Sequence, residues 1–351
     1  AMAPTASVAD ALGGDSPLLA AAGHCARGCE ASARGGRRHR LAVAAATGLS
    51  AGALAAVAVL LAWPGTSQLA APLKAISEVA AEGIPLLVVE TRNPKKTLPM
   101  KGVPGRVRTN VGVGVPWHGW VTKTQAWAAG AKAMAVTDPG RIIILFDTDM
   151  IDGGCSDSEL LDRYHRIVAA SDGATVISGA DVRQFPNFPE AEKLFMDQFW
   201  QARRQKVLAE FGMDLHAFNA HEIPDHLTSY SFINAGFLMG PAGRLVDVLG
   251  CVEALGRRGQ WYDDQFGLTV CTARHPKAIS PDYTSGIVLT AFYLKPDFLR
   301  VTPTGLDNLL LGGKQCFVHL NGNRYAAAEG WREWYKALPE NFMRAVPLPG
   351  R

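Results

Sequence analysis

Apolar and polar positions divide the 351-residue chain into stretches of different character. Residues 1–40 are rich in Ala, Gly and Ser and show no apolar period, so they lack the apolar surface needed to offset ordering entropy and are expected to be a disordered tail. From Leu41 to Trp63 the chain runs through 23 residues without a charge, and the next is Lys74. A membrane-spanning helix needs roughly 20 apolar residues, whereas the apolar part of a secretory leader is usually about 7–15 long. The pattern predicts a retained signal anchor at 41–63, a stem at 64–83 with an amphipathic helix around Leu73–Ala81, and a folded domain over 84–351.

Within that domain, apolar β-branched runs alternate with helical periods. Strands are predicted at Ile84–Glu90, Arg141–Phe146, Ala174–Ser178 and Ser231–Met239. Helices are predicted at Lys123–Ala135, Asp157–Ala170 capped by Ser156, Glu190–Phe211 and Gly243–Leu255. Asp138-Pro-Gly140 separates the first of these helices from the strand that follows. Such alternation predicts one doubly wound α/β domain built on a mainly parallel sheet.

Charge adds an orientation. Arg37, Arg38 and Arg40 precede the apolar run, so the positive-inside rule puts the tail in the cytosol and the domain in a lumen. The net charge of +3 gives no case for nucleic acid, because two of those charges belong to the tail. Cys25 and Cys29 lie in that tail; Cys155, Cys251, Cys271 and Cys316 would meet an oxidising lumen, where one or two disulfides are expected without a readable pairing.

The densest chemistry is Ile142-Ile-Ile-Leu-Phe-Asp147-Thr-Asp149-Met-Ile-Asp152. An apolar strand opens onto three carboxylates at its C-terminal edge, where open α/β sheets bind ligands. Carboxylates this close repel unless a cation sits among them, and hard oxygen ligands suit Mn2+ or Mg2+. Two enzyme classes fit. A nucleotide-sugar glycosyltransferase of the GT-A kind would use the acids to hold a metal on a diphosphate. A haloacid-dehalogenase-type phosphatase would use Asp147 and Asp149 as nucleophile and acid, but would need a second acidic pair after a buried strand. The downstream pair Asp263-Asp264 instead follows the polar stretch Arg257-Arg-Gly-Gln260.

Several segments over roughly residues 84–325 together resemble the glycosyltransferase domain of the procollagen lysyl hydroxylases, with the collagen galactosyltransferases further off. They are Gly119-Trp-Val-Thr-Lys123, the acidic segment ending at Asp152, Ile177-Ser-Gly-Ala-Asp181 with Phe185-Pro-Asn187, Phe232-Ile-Asn-Ala-Gly-Phe-Leu-Met-Gly240, Tyr262-Asp-Asp-Gln265 and Phe317-Val-His319-Leu-Asn321-Gly322. The resemblance implies a GT-A fold, a UDP-sugar donor and a Mn2+ or Mg2+ ion. It implies Asp149, Asp152 and His319 as ligands, with Asp147 as an outer or alternative ligand.

The same resemblance implies Lys123, Asn321 and Gly322 at the donor diphosphate, Asn234 and Gly236 along the donor sugar, and Asp263 and Asp264 facing the sugar and the acceptor hydroxyl. The acceptor would be a hydroxyl on a protein or glycan, and the site a lumenal domain of the Golgi or endoplasmic reticulum membrane. One departure concerns the uracil-stacking Tyr of the family, which is Ile151 here, so stacking would have to come from another ring such as Trp117. An inactive, lumenal glycan-binding relative is the reading of a different class; the retained acids and His319 count against it.

Overall fold

The computed structural model describes residues 83–91, 108–187, 189–213, 230–257, 263–291, 296–309 and 311–321, together with 334 and 338. All of them belong to one compact unit, Gln68–Arg351. The expected tail, anchor run and stem lie outside the described residues except for Gly83, as do Tyr262 and Gly322. Among the described residues no helix is long and apolar enough to cross a membrane.

The domain is mixed α/β with a mostly parallel central sheet. Six strands form it: β1 (Leu86–Val88), β2 (Arg108–Asn110), β3 (Ile142–Phe146), β5 (Val176–Asp181), β6 (Phe232–Pro241) and β7 (Ile279–Pro281), in the order β2-β1-β3-β6-β5-β7. β6 is the antiparallel member, paired with β3 on one side and β5 on the other. Strand β3 is isoleucine-rich because it is buried on both faces. Ile144 and Phe146 join a cluster with Leu160, Tyr164 and Ile167 of helix α2 (Asp157–Ala170) and Val207 of helix α4 (Gln198–Glu210). Ile143 and Leu145 alternate to the opposite face. Helix α1 (Trp120–Thr137) packs there against β1 and against helix α5 (Ala242–Arg257). A Cβ on Gly130 of α1 would stand 3.0 Å from side-chain atoms of both Leu87 and Val111, so glycine lets the helix lie directly on the sheet.

Most predicted elements form, with boundary changes that have local causes. α2 starts on a full capping box: Glu159 N–H donates to Ser156 Oγ at 3.2 Å, and Ser156 N–H donates to Glu159 Oε2 at 2.7 Å. The single helix expected over 190–211 is instead two, α3 (Pro189–Phe195) and α4, because Asp197 leaves helical backbone and caps the second. Its Oδ1 accepts from Phe199 N–H at 2.8 Å. α1 starts three residues before the predicted Lys123, at Trp120.

Beyond α5 lies structure that the apolar pattern did not predict. Helix α6 (Asp264–Arg274) packs against α5 and β6. Two small sheets follow. One joins β4 (Met150–Asp152), β12 (Phe317–His319) and β8 (Val288–Thr290); the other joins β9 (Leu299–Thr302), β10 (Gly305–Asn308) and β11 (Gly313–Lys314). The chain therefore leaves the central sheet at Phe146 and enters a second sheet at Met150, and the acidic segment is the bend between them.

Two disulfides brace this arrangement, Cys155–Cys316 and Cys251–Cys271. The second joins α5 to α6. The first closes 161 residues of chain and ties the segment after β4 to the residue before β12. Replacing Cys155 and Cys316 together by alanine is expected to lower the unfolding free energy by roughly 2–5 kcal/mol, read from denaturant titration of the oxidised protein. Unchanged unfolding would show that hydrogen bonding alone holds the two segments together.

Candidate metal centre

The site forms where β3, β6 and β12 converge. Asp147 directly follows β3 and continues its ladder, its N–H donating to the Gly236 carbonyl at 2.8 Å. The chain then turns, with Met150 N–H donating to the Asp147 carbonyl at 3.3 Å. In β4, Met150 pairs with His319 of the antiparallel strand β12. The Leu320 N–H also donates to the Asp149 carbonyl at 3.1 Å. Register alone therefore brings His319, 170 positions downstream of Asp149, beside the acidic bend.

Asp147, Asp149 and His319 each offer one ligand atom, all within 4.8 Å of one another. His319 Nε2 is 3.1 Å from Asp149 Oδ1 and 3.7 Å from Asp147 Oδ2. Ligands about 2.1 Å from an octahedral ion stand about 3 Å apart, so small adjustments would suit Mg2+ or Mn2+ and leave positions open for other oxygens. Two carboxylates with one imidazole form a donor set for such a cation.

Asp152 is not in this group. It lies at the end of β4, its Oδ1 accepting from Gly154 N–H at 2.8 Å. Asp147 stands in the place that the resemblance gave to Asp152. Ile151 between them faces a separate apolar cluster with Val318 and Leu320.

Lys123 explains how the carboxylates are held. Only 4 % exposed, it sits with its Nζ 2.6 Å from Asp147 Oδ1, 2.6 Å from Asp264 Oδ2 and 3.2 Å from the Ala235 carbonyl. The Ala235 carbonyl accepts a hydrogen bond from the ammonium, and the two carboxylates meet its charge as ion pairs. The ammonium thus lies among the carboxylates in the pocket wall. Burial alone would lower its pKa, but the carboxylates of Asp147 and Asp264 outweigh that and raise it. Burial raises the Asp147 carboxyl despite Lys123 and His319. For Asp149 the burial effect is reversed by His319 and by a hydrogen bond from its own backbone, and its pKa falls.

The group opens into a pocket of about 590 Å3, a size that admits a drug-sized ligand. Five carboxylates line it (Asp147, Asp149, Asp181, Asp263, Asp264) against Lys123 and Arg183. Such an excess of negative charge favours a cation. Asn234, Gly236 and Asn321 are also in the wall, as expected. Asp263 has a structural duty as well: it caps α6, its Oδ1 accepting from Phe266 N–H at 2.8 Å. Burial raises its pKa, more than the backbone donors lower it.

Trp117, 48 % exposed, is not part of the wall; it packs edge-on against Trp120, which is. Sequence reasoning also passed over Arg183, Gln184 and Gln265 as site residues. Gln265 was legible only as a neighbour of the acidic pair. Arg183 and Gln184 follow β5 in irregular backbone, with no period to mark their direction.

Strand β6 is irregular where it meets the site. Its pairing with β5 jumps from Leu238 opposite Ser178 to Asn234 opposite Gly179, so residues 235–237 are unmatched on that side. Bulges of this kind redirect side chains next to functional sites. Gly236 is where the His319 ring comes closest: an added Cβ would lie 2.0 Å from its Cε1 and 2.5 Å from its Nδ1.

Compared with known proteins, the chain matches no protein-family profile and no curated sequence. Gly236→Ala is expected to displace the His319 ring and to weaken Mn2+ binding at least about tenfold, measured calorimetrically, since losing one oriented ligand of a site has effects of that order. Unaltered Mn2+ affinity would separate His319 from the ion.

Proposed function

We propose that this chain is a divalent-metal-dependent glycosyltransferase of the GT-A kind, moving a hexose, glucose or galactose, from a UDP-sugar to a hydroxyl on a protein or glycan. The observation that carries the proposal is the Asp147–Asp149–His319 group, set in a carboxylate-rich pocket at the C-terminal end of β3. Kinship with the glycosyltransferase domain of the procollagen lysyl hydroxylases is supported by residues of five separate resembling segments meeting in that pocket, around Lys123, Asp147 and Asp149, Asp181, Asn234 and Gly236, and Asp263 and Asp264, with His319 and Asn321 from a sixth.

Asp147, Asp149 and His319 would hold Mn2+ or Mg2+, which supplies positive charge against a departing diphosphate. The chain's own residues do the rest. Lys123 fixes Asp147 and Asp264 in one geometry and offsets their charge. Asn321 lies beside the group and serves the donor end of the pocket. With no side chain at Gly236, the His319 ring can lie against the backbone of β6 at the pocket wall. Asp263, whose carboxyl is pushed up by burial, is better suited than lysine-bound Asp264 to accept a hydroxyl proton. Trp120, 45 % exposed at the pocket wall, offers a ring for stacking where Ile151 offers none.

The two disulfides and the uncharged run at 41–63 support a lumenal domain anchored in the endoplasmic reticulum or Golgi membrane.

The test is UDP release by the full-length protein across a panel of UDP-sugars, with Mn2+ and then with EDTA. Release should require the metal and fall roughly 100-fold or more in Asp149→Ala and in His319→Ala. Release that EDTA leaves untouched, or phosphate release from simple monoesters dependent on Asp147, would overturn the reading. Trp120→Ala is expected to raise KM for the donor more than it lowers kcat, and an unchanged KM would remove that ring from donor binding.

A further inference from the structure

His319 can serve as a ligand only if its proton is kept on Nδ1 while Nε2 faces the carboxylates and is free to exchange its own proton for a metal, so something must hold the ring in that orientation. Its Nδ1 lies 3.0 Å from Asn234 Oδ1. Which end of an amide faces a neighbour has to be argued from the bonds around it, and here two independent partners decide. Gly236 N–H, which can only donate, points to Asn234 Oδ1 at 2.8 Å. On the other side Asn234 Nδ2 is 2.9 Å from Asp181 Oδ2, an acceptor when ionised. Both require the carbonyl oxygen of Asn234 to face His319, and a carbonyl facing Nδ1 requires a proton on that nitrogen.

Asp181 is itself fixed. Buried at the end of β5, it accepts from Asn321 Nδ2 on Oδ1 at 3.0 Å and, more weakly, from Gln265 Nε2 on Oδ2 at 3.5 Å. The chain of contacts thus runs from a buried carboxylate through one amide to the imidazole. It is built on the β6 bulge that turns Asn234 toward the site.

We infer that Asp181 and Asn234 are positioning residues: the Asn234 carbonyl, held by Asp181, anchors the Nδ1–H of His319 and so aims Nε2 at the place of a divalent cation. This rests on the reading of Asp147, Asp149 and His319 as a metal centre. It gives Asn234 a task distinct from lining a donor sugar. Partners of this sort orient ligand imidazoles in metal sites generally. Asp181→Asn keeps the shape but turns one of the two oxygens into an N–H2, while Asn234 Nδ2 and Asn321 Nδ2 both need an acceptor there. One of those amides loses its partner, and the Asn234 carbonyl is held less firmly against His319 Nδ1.

The experiment has two readouts on the full-length protein with 15N-labelled histidine. Ring 15N shifts, assigned to His319 by comparison with His319→Gln, report which ring nitrogens carry protons, and calorimetry reports Mn2+ affinity. Wild-type protein should carry a proton on Nδ1 both without and with the metal. Asp181→Asn and Asn234→Ala should alter the Nδ1 shift and bind Mn2+ about 10- to 100-fold more weakly. A wild-type ring with no proton on Nδ1, or variants with unchanged ring shifts and affinity, would overturn the inference. Wild-type protein that keeps Nδ1 protonated but binds no Mn2+ would overturn the metal centre instead, leaving the relay as a feature of the fold.

Discussion

The site depends on how carboxylates are kept together against their own repulsion. Asp147 is held from both sides, by the Lys123 ammonium at 2.6 Å and by the His319 ring at 3.7 Å, while the same ammonium holds Asp264 at 2.6 Å. A lysine buried this deeply is costly unless its charge is met and its donors used. Here two carboxylates meet the charge and the Ala235 carbonyl accepts a hydrogen bond. The arrangement joins α1, the bend after β3, the start of α6 and the bulge of β6 through one atom.

The fold serves that constraint. Strand β3 delivers the acids at its C-terminal end. The second sheet then carries the chain past β12, so that His319 meets them by strand register rather than by a flexible loop. The disulfide Cys155–Cys316 fastens the two segments just beyond the ligands. On the opposite wall, the three unmatched residues of β6 turn Asn234 inward, and Gly236 leaves room for the imidazole. Asp147, Asp149 and His319 thus come from distant parts of the chain but sit on strands and strand ends.

Much of this was legible in the sequence, for physical reasons. Strand β3 and helix α2 announce themselves, one by an unbroken apolar run ending in acids, the other by a capping box. The acidic bend was readable because such residues seldom follow a buried strand without a task. What could not be read is three-dimensional register. The resemblance favoured Asp149 and Asp152, with Asp147 as an outer or alternative ligand, and only the pairing of Met150 with His319 shows that Asp152 lies in β4 while Asp147 stays at the bend. Lys123 was visible as a cation near the site but not as one paired with both Asp147 and Asp264. The small strands after α6 are two to four residues long, too short to show a period, and β12 finds its place by pairing with β4, far upstream.

The central claim is that Asp147, Asp149 and His319, and not Asp152, hold the ion. Its most direct test is a crystal of the protein soaked in Mn2+, with diffraction recorded on both sides of the manganese absorption edge. The account predicts one anomalous peak bounded by Asp147, Asp149 and His319, about 2.1–2.2 Å from their ligand atoms. A peak on Asp152, or none in the pocket at Mn2+ concentrations that saturate the protein in solution, would contradict it.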